Sequence, residues 1–123
     1  MRLLLDTPVL IWWDMGAKLS TKAIQAIRDA EQVYVSAASA WEIAIKASLG
    51  RLSTTRSVGE AAAASGFEEL PVRVAHAEAV LTLPWHHRDP FDRMLSAQAR
   101  VEGLTVVTRD PVFRRYGVKT LKG

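Results

Sequence analysis

A chain of 123 residues, 49% apolar and 24% charged, has the size and composition of one ordinary globular domain with a core of its own. It has no cysteine, which excludes disulfides, thiolate metal sites and a cysteine nucleophile. The opening run Met1-Arg2-Leu3-Leu4-Leu5 meets Asp6 too soon for a signal peptide or membrane span, so a cytoplasmic protein is expected.

In chain order, Leu3-Leu4-Leu5 is a short apolar run closed by Asp6 and reads as a buried strand. Ser20 to Ala30 reads as a helix with Ser20 as its N-cap, and Val33-Tyr34-Val35, closed by Ser36, as a second strand. A helix over Ala37 to Leu49 stops at Gly50, a favourable residue just past a helix end. Ala61 to Ser65 is the core of a short helix ending near Gly66, Phe67 to Leu70 a weaker strand, and Val74 to Leu83 a helix closed by Pro84. The helix from Asp89 to Glu102 has Asp89 as N-cap, Pro90 in its first position and Gly103 beyond its end. Thr105-Val106-Val107, closed by Thr108, is a further strand, and Val118 to Leu121 a weaker one. Continuous apolar runs without alternation predict strands covered on both faces, hence a parallel sheet. Strands alternating with helices predict a three-layer α/β domain, and no repeat or linker divides residues 1–123.

Four acids stand out. Asp6 falls at the carboxyl end of the first strand and Asp110 just after the Thr105–Val107 strand, where open parallel sheets bind ligands. Both also suit N-caps, since Pro8 and Pro111 follow closely. Glu42 lies on a helix that is apolar around most of its circumference. Its polar neighbours Ser39 and Lys46 complete one narrow stripe, so the helix is expected to be largely buried. An i,i+4 pair with Lys46 is the plain alternative for Glu42. Asp92, three residues after Asp89, suits the helix N-terminus as well as a site. Carboxylates gathered about 5 Å apart repel by roughly 3 kcal/mol per pair at an effective dielectric of 20. Such a cluster needs protons or cations, and an all-oxygen set suits Mg²⁺ or Mn²⁺ and metal-assisted phosphodiester hydrolysis.

The net charge of +3 is unevenly spread, with eight Lys/Arg against four Asp/Glu in residues 86–123 and eight against nine before them. Arg88, Arg93, Arg109, Arg114 and Arg115 interleave with Asp89, Asp92 and Asp110, which suits a polyanionic substrate held over a metal site; a solvated face is the alternative. His76, His86 and His87 read as loop and surface residues, and Trp12, Trp13, Trp41 and Trp85 as core and interface.

The segments LLLDTPVLIWW, SAASAWEIAIKASLGRL, HHRDPFDRMLSAQA and LTVVTRDPVFRRYG resemble the PIN-domain nucleases, and among them the VapC-type toxins of bacterial toxin–antitoxin operons. They span nearly the whole chain in the family's order. The resemblance implies a five-stranded parallel sheet, order 3-2-1-4-5, with helices on both faces. It places the catalytic acids on Asp6, Glu42, Asp92 and Asp110, with metal ligands among Asp6, Asp92 and Asp110. Thr7 and Thr108 are similar to polar residues that orient ligands. Pro8 departs from the family, where a His or another polar residue often stands. The resemblance also implies Mg²⁺ or Mn²⁺, an RNA substrate, homodimerisation and a VapB-type antitoxin. An RNA-processing nuclease without antitoxin and a PIN-like binding module without catalysis are the competing readings. A response-regulator receiver is disfavoured, because no acid adjoins Asp6 and TRDP offers no late-strand Lys.

Overall fold

In the computed structural model, which describes all 123 residues, the first apolar run forms β1 (Arg2–Leu5), and its side chains divide between two cores. Leu4 joins Leu95, Val106 and Phe113 on one face of the sheet, while Leu3 and Leu5 join Val9, Ile27 and Ile43 on the other. A strand buried on both faces has no polar side to show, which is why its sequence does not alternate.

From β1 the chain enters α1 (Thr7–Met15) and α2 (Thr21–Asp29), then β2 (Gln32–Ser36), α3 (Ala37–Ser48), α4 (Val58–Ala64) and β3 (Glu68–Leu70). It returns through α5 (Val74–Leu81) and α6 (Pro90–Glu102) to β4 (Thr105–Thr108), the single turn α7 (Val112–Arg115) and β5 (Thr120–Lys122). All pairings are parallel, in the order β3-β2-β1-β4-β5, so the predicted three-layer α/β/α fold is the one observed. Strand order reverses between β1 and β4, where Leu5 is in register with Val107. Asp6 and Thr108 therefore emerge side by side at the carboxyl edge.

Caps at Ser20 and Asp89, both expected from sequence, and a third at Ser36 hold the helices in place. The side chain of Ser20 accepts from Ala23 N–H, that of Ser36 from Ala38 N–H, and that of Asp89 from Phe91 and Asp92 N–H. Ser36 also donates to Gln98 Oε1 at 2.6 Å, and Gln98 Nε2 donates to the carbonyl of Pro71. This buried latch joins the ends of β2 and β3 to α6.

One helix is additional to those expected, and the bounds of three elements differ. α1 has no counterpart in the sequence reading, because Thr7–Met15 is too uniformly apolar to show a helical period. α4 extends the expected Ala61–Ser65 core back to Val58, started by a reciprocal cap between Ser57 and Glu60. α5 ends at Leu81, two residues short. The last strand is Thr120–Lys122, because Val118 turns into the core and its N–H bonds to the carbonyl of Phe113.

Candidate active site

Asp6 serves two structures at once. Its N–H extends the β1–β4 ladder to the carbonyl of Val107, and Oδ1 accepts from Val9 N–H at 2.9 Å, capping α1. Oδ2 accepts from the Thr108 hydroxyl at 2.6 Å. The side chain is thus an N-cap and a floor of the carboxyl edge together. Only 4% of Asp6 is exposed. Burial pushes its pKa up to about 6; the bonds from Thr108 and Val9 oppose the rise, and the charges of Asp110 and Glu42 add to it.

Thr108 Oγ1 also accepts from Asp110 N–H at 2.9 Å, so one hydroxyl ties both strand-end acids together. Asp110 is exposed, and its Oδ1 accepts from Val112 N–H, which starts α7. Thr7 turns away from this group, and its buried hydroxyl donates to Ser39 Oγ at 3.0 Å, joining α1 to α3.

Glu42 is 7% exposed. Lys46 donates to Oε2 at 2.8 Å across one helical turn, as the plain alternative foresaw. Oε1 is buried without a hydrogen-bond partner. A buried carboxylate with one bare oxygen is costly, and a cation or donor relieves it. Asp92, in the first turn of α6, is partly buried. Burial and the neighbouring Asp89 charge raise its pKa to about 6, Asp6 and Glu42 add to the rise, and a hydrogen bond from His87 opposes it. Asp6 thus feels Asp110 and Glu42, and Asp92 feels Asp6 and Glu42. The fold gathers all four acids into one electrostatic cluster.

No three His, Asp or Glu side chains form a ready-made metal cage. The all-oxygen donor set nevertheless fits Mg²⁺, which keeps several waters and takes only one or two carboxylates. The bare Oε1 of Glu42 points to the same need for positive charge. Ser96, one turn after Asp92 on α6, is a further buried hydroxyl without a partner. The sequence reading passed over it. Its i,i+4 spacing from Asp92 is the signal that would have found it.

Among the basic residues, Arg93 is a correction. It is 3% exposed, and its guanidinium donates to the carbonyls of Val80, Leu83 and Pro84 and to the Tyr116 hydroxyl. Trp85 lies over it at 3.9 Å. Both terminal nitrogens of the guanidinium are taken by the protein, so Arg93 fastens the α5–α6 loop and is not free for nucleic acid. Arg93→Lys should lower unfolding free energy by about 2 kcal/mol or more, because a point charge cannot satisfy a fork of buried carbonyls. A urea titration of the two proteins measures it. Arg88, Arg114 and Arg115 remain exposed, and Arg109 is exposed while stacking on Trp12 and bonding to the carbonyls of Lys18 and Gly123.

Among the histidines, His76 departs from expectation. His76 is fully buried, accepting from Arg73 N–H at Nδ1 and facing Glu102 at Nε2, so it is no surface residue. His86 and His87 pack on Tyr116. Trp41 and Trp85 are 64% and 73% exposed and so outside the core.

Comparison with known proteins gives a family and a set of similar folds. The PIN domain matches residues 3–119. No curated protein matches the chain by sequence. A chain in VapBC2 from Rickettsia felis, bound to a promoter DNA fragment, is similar with a TM-score of 0.74 and 13% identity, over 99% of this chain and 98% of that one. DNA-bound VapBC from Salmonella typhimurium gives 0.71 and 18%, over 99% and 98%. FitAcB from Neisseria gonorrhoeae gives 0.69 and 20%, over 98% and 96%. At such identities the structural likeness speaks for the fold alone. The family match is independent of it and runs from β1 to the edge of β5. The chain therefore belongs to the PIN-domain family, and the acids at its strand crossover lie within the matched region.

Proposed function

We propose that this chain is a Mg²⁺- or Mn²⁺-dependent endoribonuclease, the toxin of a type II toxin–antitoxin pair, acting in the cytoplasm. The observation that carries the reading is the acidic cluster at the β1–β4 crossover, where burial and mutual repulsion raise both Asp6 and Asp92 to about 6. A cluster strained in this way gains most from a divalent cation. Asp6, Asp92 and Asp110 are the residues from which such a cation would draw its one or two carboxylates, with Glu42 adding charge from α3. Such a cation, when bound, lowers the pKa of a water and neutralises charge on the phosphate.

The chain's own groups supply the rest. Thr108 fixes Asp6 and the backbone of Asp110 in one frame, and Thr7 sets the spacing of α1 from α3 through Ser39. Exposed Arg88, Arg109, Arg114 and Arg115 attract the RNA backbone. Water adds to phosphorus and gives up a proton, one P–O ester bond breaks, and the leaving alkoxide oxygen takes up a proton to become a hydroxyl.

Two partners belong to this reading. The chains of similar fold from Rickettsia felis and Salmonella typhimurium come from VapBC complexes. That likeness favours a VapB-type antitoxin presenting a basic side chain to the acids, much as Lys46 already does to Glu42. A second copy of the chain is the other partner. The exposed Trp41 and Trp85 border an apolar depression of about 570 Å³ that includes Val72, Val80, Phe91 and Met94, and a homodimer would cover it.

Purified protein should cleave RNA with Mg²⁺ or Mn²⁺ and stop in EDTA; undiminished cleavage in EDTA overturns the metal mechanism. Expression alone should arrest growth, and co-expression of an adjacent small open reading frame should restore it. Harmless expression together with cleavage in vitro decides for an RNA-processing nuclease. Neither cleavage nor metal binding decides for a binding module.

A further inference from the structure

The ring of His87, in the loop before α6, stands between Tyr116 and Asp92. Nδ1 lies 2.8 Å from the Tyr116 hydroxyl, and Nε2 lies 3.4 Å from Asp92 Oδ2. The protons around Tyr116 decide which nitrogen carries the ring proton. The hydroxyl accepts from His87 N–H and from Arg93 Nη1, each at 3.3 Å. A phenol oxygen offers two lone pairs and one proton. With both lone pairs taken, the proton goes to Nδ1, and the imidazole keeps its own on Nε2, facing Asp92.

The chain of bonds is anchored at its far end. Tyr116 and Arg93 are each 3% exposed, and Arg93 is fixed by the carbonyls of the α5–α6 loop. The His86 ring also packs on Tyr116, with ring centroids 4.9 Å apart. This route connects the end of α7 to a side chain in the first turn of α6.

We infer that His87 is a positioning residue for Asp92: Tyr116 fixes its tautomer, and Nε2–H steadies Oδ2 so that the other carboxylate oxygen faces the cluster. The inference rests on the metal-dependent reading of the site. A histidine that merely pins its loop has the same contacts with Tyr116 but no effect on what Asp92 does. The two are separated by metal affinity, which loop anchoring does not move.

The experiment is Mn²⁺ titration by EPR, with kcat and KM for RNA and thermal unfolding, on wild type, His87→Ala, His87→Gln, Tyr116→Phe and Asp92→Asn. His87→Ala should weaken Mn²⁺ binding about 10- to 100-fold, as loss of an outer partner of a ligand does. It should lower kcat while leaving KM for RNA near wild type. His87→Gln, whose amide N–H stands close to the place of Nε2–H, should recover most of the affinity. Tyr116→Phe should weaken binding several-fold without touching Asp92, and it carries the same test should His87→Ala fail to fold. Unchanged Mn²⁺ affinity and kcat in His87→Ala or Tyr116→Phe, with Asp92→Asn impaired, overturns the inference alone. Wild type without Mn²⁺ affinity, or Asp92→Asn equal to wild type, overturns the site reading and the inference with it.

Discussion

Asp6→Asn is expected to abolish RNA cleavage while making the metal-free protein more stable at pH 7.5. The loss of activity should be at least about a hundredfold, or roughly 2.7 kcal/mol of barrier, because the charge at the strand crossover is gone. The gain in stability follows from the raised pKa. Folded Asp6 titrates at about 6, and the unfolded side chain near 3.9. Between those values the folded protein holds a proton that the unfolded chain has released. The stability contributed is therefore complete below about pH 4 and is lost as pH rises through 6. At pH 7.5 the ionised carboxylate then costs the fold on the order of 3 kcal/mol. Asparagine removes that charge and keeps the carbonyl that caps α1, since Asn caps about as well as Asp. Its amide must donate where Asp6 accepted from Thr108, leaving that hydroxyl proton without its acceptor, at about 1 kcal/mol. The variant should thus gain about 1–2 kcal/mol at pH 7.5, the difference between those two effects. The advantage should shrink or reverse at pH 4. Mg²⁺ should raise the melting temperature of wild type and leave Asp6→Asn unmoved. Equal destabilisation at both pH values would show that the Asp6 carboxylate is not strained.

β1, β2 and β4 were readable because burial on both faces leaves continuous apolar runs, α2 and α6 because each announces its start with a capping side chain, and α3 because Gly50 marks its end. α1 was hidden by its own composition. In TPVLIWWDM only Asp14 breaks the apolar run, so periodicity had no contrast to work on, and the cap at Asp6 was visible without the helix it caps. β5 slipped because Val118 is as apolar as a strand residue, although the hydrogen-bond register begins only at Thr120.

In the site, residue type told more than direction. The four acids were legible from strand ends, an apolar helix and a helix start, and one Thr–Asp bond supplies the join that no local pattern could give. Arg93 was misread for the complementary reason. A basic residue next to an acidic cluster looks like a substrate contact, yet α6 is buried from Leu95 to Ala99 and Arg93 faces inward at the start of that stretch. His87 and Tyr116 are 29 residues apart in sequence, and nothing short-range links them. Only the packing of α7 against the start of α6 makes the pair.

That same helix start contains the sharpest test of roles. Asp89 and Asp92, three residues apart, are expected to separate completely when each is changed to asparagine. Asp89 is exposed, and its Oδ1 accepts from Phe91 and Asp92 N–H at 2.9 and 3.1 Å, the bonds of a helix cap. Asparagine presents the same oxygen, so stability and cleavage should stay close to wild type. One further change is expected. The Asp89 charge is a leading cause, after burial, of the raised pKa of Asp92, so Asp89→Asn should move the acid limb of the pH–rate profile to lower pH. Asp92 caps nothing, and the helix dipole gives it at most about 1 kcal/mol at an exposed site. If it holds the cation, Asp92→Asn should cost at least about a hundredfold in rate. Its stability should hold or rise above pH 6, because a carboxylate with a raised folded pKa is destabilising once ionised. Thermal unfolding and RNA cleavage of both variants at one metal concentration decide the matter. An inactive Asp89→Asn beside an active Asp92→Asn would move the catalytic role to the capping residue.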